Sequence, residues 1–125
     1  KEEGVQRLNR ILSESLIKAT DTYKTPPQII WVDNSSIATL GNFSASTGKA
    51  KAKKTFNVSA LVAASLANGK VLNYRVQSAR GENAKILYVD TEQSRYHCHN
   101  VLERILKLAG LPTSIDNENL WTLSV

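Results

Sequence analysis

Positions 48–55 read Gly-Lys-Ala-Lys-Ala-Lys-Lys-Thr, a glycine, four residues and then Lys-Lys-Thr. With glycine in place of Lys53 this would be a phosphate-binding loop. The chemistry of such a loop is electrostatic. Backbone N–H groups turn inward around phosphate oxygens at the start of a helix, and a lysine adds a point charge. On this reading Gly48, Lys49, Lys53, Lys54 and Thr55 are the binding set for ATP. Lys54 reaches the β- and γ-phosphates, and the Thr55 hydroxyl is a ligand of Mg2+. Lys53 falls where these loops often require φ > 0, so its Cβ costs roughly 1 kcal/mol or more. The competing reading of Lys49, Lys51, Lys53 and Lys54 is a solvated basic loop, or one that grips nucleic-acid phosphates without sequence preference.

A second group of chemical residues follows further along. Ile86-Leu87-Tyr88-Val89 is a continuous apolar run that exits into Asp90-Thr91-Glu92. A carboxylate at the end of such a strand, beside bound phosphates, orients a water or accepts its proton, as phosphoryl transfer to water requires. The alternative is structural: Asp90, Thr91 or Ser94 caps the helix that follows.

The elements that would position these groups are legible as patterns. Residues 4–21 place Val5, Leu8, Ile11, Leu12, Leu16 and Ile17 near a 3.6-residue period, which predicts an amphipathic helix. Pro26-Pro27 then enforces extended chain. Residues 28–32 and 37–40 are expected to form a hairpin around Asp33-Asn34-Ser35-Ser36. Residues 42–47 are β-compatible and end at Gly48, which predicts a strand feeding the lysine loop. Residues 55–67 have the composition of a buried helix, stopped at Asn68-Gly69. An exposed strand is expected over 71–76, a turn over 79–83, and a strand over 86–89 buried on both faces. Residues 94–109 form the third helix, stopped by Gly110 and Pro112, and 120–125 the last strand. Strands alternating with helices predict an α/β fold with a mainly parallel sheet, with ligands at the carboxyl ends of the strands. The ends of 42–47 and 86–89 should then lie side by side.

The 125 residues, 42% of them apolar, suffice for one core, so the chain reads as a single domain with 1–27 as an N-terminal helix and linker. A net charge of +5 suits a polyanionic partner such as DNA. One cysteine, Cys98, excludes an internal disulfide framework and agrees with a reducing, cytoplasmic setting. No apolar run approaches the length of a membrane span. Tyr96-His97-Cys98-His99 does not read as a metal site, because successive helical positions point to different sides. Trp31 and Trp121 fit the core better than a base-stacking role, and Arg75, Arg80 and Lys85 are candidate DNA contacts.

Gly41-Asn42-Phe43-Ser44, residues 48–55 and residues 86–94 together resemble the RecA-like P-loop ATPases, in particular the branch of plasmid RepA-type helicases and mobile-element ATPases. The resemblance spans about residues 28–125. It implies the N-terminal portion of an ATPase core, coupled in the full protein to DNA replication, recombination or mobilisation. It implies Gly48 as the first glycine of the loop, Lys54 on phosphate, Thr55 on Mg2+, and Glu92 as the catalytic residue that activates water. A partial core of this kind would leave a sheet edge unpaired, which favours a homo-oligomer. The alternative expectation is a non-enzymatic nucleic-acid-binding or assembly module with a degenerate loop.

Overall fold

The computed structural model describes residues 2–48, 53–78, 81 and 84–125. The N-terminal helix, α1 (Glu2–Ser15), forms where the apolar period predicted it but stops short of residue 21. Asp21 explains the early end. Its carboxylate accepts the Lys18 N–H at 2.9 Å and the Tyr23 hydroxyl at 3.0 Å, giving the backbone a local alternative to the next helical turn. No residue of α1 is buried.

After Pro26-Pro27 the chain enters β1 (Gln28–Val32), turns at Asp33, and returns as β2 (Ser35–Thr39). The helix α2 (Lys54–Ala67) follows, with Ser59, Ala60, Val62, Ala63 and Ala64 buried. It ends at Asn68 in the left-handed conformation, where Gly69 N–H reaches back to the Ala64 carbonyl at 3.2 Å. The chain then forms a tight hairpin, β3 (Lys70–Val71) and β4 (Tyr74–Val76), around Leu72 at φ 54°. Last come β5 (Ile86–Asp90), α3 (Arg95–Leu108) and β6 (Leu120–Ser124). Gly110, at φ 75°, closes α3, with Leu111 N–H bonded to the Leu106 carbonyl at 2.8 Å.

The expectation of a mainly parallel, RecA-like sheet is overturned. The main sheet has four antiparallel strands in the order β2-β1-β4-β3, and β5 and β6 form a separate two-stranded parallel sheet. The reason lies at the two ends of α2. At its start, residues 42–48 form no strand: all are exposed, Phe43 almost fully, and no neighbour offers them a ladder. At its end, Gly69 passes directly into the β3–β4 hairpin, whose second strand runs antiparallel to β1. The helix therefore leads into an antiparallel ribbon and is not a crossover between parallel strands. The β5–α3–β6 unit does have the expected parallel form, but β5 is not central, since Leu87 is 63% exposed.

The core sits where α2 meets the main sheet on one side and α3 with the small sheet on the other. Ala60, Ala63 and Ala64 of α2 pack with Val71, Val76, Val101, Ile105 and Leu120. Ile30, Tyr74, Ile86 and Tyr88 close around them. Ile105 is fully buried. Ile105→Ala is expected to destabilise the domain by about 2–5 kcal/mol in urea unfolding, through lost burial and the cavity it leaves. A loss under about 1 kcal/mol would mean that α3 is not packed as described.

Candidate functional site

The first turn of α2 carries the lysine motif. Lys53, the residue before the helix, has φ 57° and ψ 24°, the positive φ that the sequence assigned to this place. Among the described residues no side chain caps the helix, and no acidic residue stands in its first turn. The first intrahelical bond to this end is Asn57 N–H to the Lys53 carbonyl at 3.1 Å. The preceding N–H groups, of Lys54, Thr55 and Phe56, are the orphan donors of a helix N-terminus. They coincide with the positive end of the helix dipole and with two exposed lysines.

Thr55 is half-buried. Its carbonyl accepts the Ser59 hydroxyl at 2.7 Å, and its own hydroxyl makes no hydrogen bond among the described residues. Arg104 of α3 brings a further cation, its guanidinium 5.9 Å from the Phe56 ring centroid. Nothing in the sequence pointed to Arg104, because only the packing of α3 on α2 brings it there. Gly48 is an exposed loop residue, and Lys49 lies outside the described residues. The structure thus gathers Lys53, Lys54 and Thr55 at one helix end, without the strand expected to precede them.

The carboxylates at the end of β5 have divided roles. Asp90 Oδ1 accepts the N–H groups of Gln93 and Glu92, both at 2.9 Å. These two bonds, Gln93's first, hold its carboxyl below the usual aspartate range, with a smaller contribution from the Cys98 thiol. Burial, followed by the charge of Asp90, pushes Tyr88 up. Asp90 therefore shapes the turn into α3, and Ser94 caps that helix by accepting His97 N–H at 3.4 Å. Glu92 is exposed, and among the described residues no hydrogen bond or ion pair ties its carboxylate to the start of α2.

A groove of about 470 Å³ lies between α3 and β6, lined by Arg95, Tyr96, Cys98, His99, Leu102, Thr122 and Ser124. Thr122 Oγ1 is buried without a hydrogen-bond partner among the described residues. Of its neighbours, His99 pairs with Glu103 at 3.4 Å, and the Tyr96 ring meets that of His97 edge-on. Cys98 is buried, its thiol 3.8 Å from the Gln93 carbonyl. No group of three or more His, Cys, Asp or Glu is placed to hold a metal among the described residues. Trp121, expected in the core, is 65% exposed, whereas Trp31 is half-buried. No described helix is long and apolar enough to cross a membrane.

Comparisons with protein-family models, with curated proteins and with solved structures gave no match to this chain.

The depressed pKa of Asp90 gives a signed prediction. Its folded-state value lies below the unfolded one, so its stabilisation is present above the unfolded value and is lost as pH falls through the folded one. Asp90→Asn should flatten the fall in stability below about pH 4, measured by thermal unfolding across pH. An acid limb unchanged by the substitution would contradict the assignment.

Proposed function

We propose that this chain binds the phosphates of ATP at the start of α2. The observation that carries the reading is the uncapped first turn, entered through left-handed Lys53 and bearing Lys54 and Thr55. Orphan N–H groups, the helix dipole and lysine charge act in the same direction there. Lys54 would contact the outer phosphates. The unengaged Thr55 hydroxyl suits a single protein ligand to Mg2+, and phosphate oxygens and water would complete the metal's shell. No carboxylate is bonded into this turn among the described residues, so the ion would arrive with the nucleotide.

Glu92 stands on the exposed turn after β5. Water activation by it requires a movement that brings its carboxylate to the γ-phosphate, so binding without turnover is the form of the proposal this geometry favours. Isothermal calorimetry with Mg-ATP is expected to give saturable binding that weakens at least tenfold in Lys54→Ala, a helix-surface change that leaves the core intact. Absence of heat with ATP, or equal binding by Lys54→Ala, would remove the reading.

A second reading has its own observation. On the face of the main sheet away from α2, the Arg75 guanidinium lies 4.0 Å from the Trp31 ring, and Lys70 is its cross-strand partner. A guanidinium over an indole, beside a second cation, offers a cationic and aromatic patch for a base and its phosphate. If a single-stranded oligonucleotide binds here, affinity should fall with salt and drop further in Arg75→Ala. Salt-independent binding would exclude it.

A further inference from the structure

Two faces of this chain violate the ordinary rules for covering apolar surface. The first is α1. Val5, Leu8, Ile11 and Leu12 lie along it at helical spacing, and Leu8 is 57% exposed. A helix of 14 residues is marginal in water without a packing partner. The second is the small sheet. Parallel strands are normally covered on both faces. Here Ile86, Tyr88 and Leu120 pack toward the core, while Leu87 opposite Trp121 and Val89 opposite Leu123 present a bare apolar face.

We propose that α1 of one copy covers the β5–β6 face of a second copy, and that two chains exchange these arms reciprocally. Two observations favour a second copy over the chain's own sheet. Every described residue from Glu2 to Gln28 is exposed, so the arm leaves its own chain without resting on it. Pro26-Pro27 stands at the hinge before β1, where fixed φ values and pre-proline restriction hold the arm extended.

A cavity of about 350 Å³ at the small sheet, lined by Lys85, Ile86, Leu87, Glu118 and Trp121, is a seat for a leucine of the arm. Glu118 is exposed and is a partner for Arg7 or Arg10 of α1, whereas Lys85 donates to the Glu118 carbonyl at 3.4 Å and to Asn119 Oδ1 at 2.8 Å. A reciprocal exchange makes this contact twice, which doubles the apolar area covered toward the roughly 1,200–2,000 Å² of a stable interface.

The test uses the full chain in sedimentation velocity over a concentration series. A dimer is expected, and Leu8→Asp with Leu12→Asp should weaken it at least about a hundredfold. Because α1 buries nothing in its own chain, that variant should keep the unfolding transition of the parent core. As a second measurement, a tagged Leu8→Cys chain is mixed with a Leu123→Cys chain under mild oxidation, Cys98 being buried. A disulfide between the two chains is expected. A monomer at all concentrations, a dimer indifferent to the aspartates, or no disulfide between the Leu8→Cys and Leu123→Cys chains would each overturn the proposal.

Discussion

The small-residue face of α2 is the constraint on which the rest depends. Ser59, Ala60, Ala63 and Ala64 are fully buried, and they let the helix backbone approach the main sheet on one side and α3 on the other. The two sheets share no hydrogen-bonded strand pair. What joins them is side-chain packing through this helix, with Val71 and Val76 from one side and Val101, Ile105 and Leu120 from the other. The one buried polar side chain on that face, Ser59, is satisfied within the helix by the Thr55 carbonyl. Close approach is therefore achieved without an unpaired hydroxyl in the core.

The same helix carries the proposed phosphate site. Its last turn is closed by Asn68 and Gly69, so its carbonyls are used. Its first turn is left open, with a left-handed lysine where a cap would ordinarily stand. Strain at Lys53 costs of order 1 kcal/mol and leaves free donors at the positive helix end. Natural helices usually satisfy such donors with Ser, Thr, Asp or Asn. α3 does so with Ser94, which shows the contrast within one chain.

Much of this was legible in the sequence, and the failures have physical causes. The helical periods of α1 and α3, the β1–β2 hairpin, the Asn68-Gly69 stop and the φ required at Lys53 all reflect local propensity and backbone sterics. Sheet topology does not: strand order depends on which edges meet, and Val71-Leu72-Asn73-Tyr74 reads as one strand until Leu72 turns it into a hairpin. The run Ile86 to Val89 reads as buried on both faces because composition cannot say whether a second face finds a cover. The gathering of Lys53, Lys54 and Thr55 at the start of α2 was legible because they are contiguous. Arg104 was not, because its approach to Phe56 is a tertiary contact. Asp90 was legible only as a pair of alternatives; its two hydrogen bonds go to the turn backbone at Glu92 and Gln93, and the capping role falls to Ser94.

The central claim is that phosphate is held by the backbone of α2's first turn, and amide chemical shifts report on that most directly. In a titration of isotopically labelled protein with Mg-ATP, the largest changes should fall on the amides of Lys54, Thr55 and Phe56. Changes confined to the α3–β6 groove, at Arg95, His99 and Ser124, would contradict the account and move the site to the other side of the core.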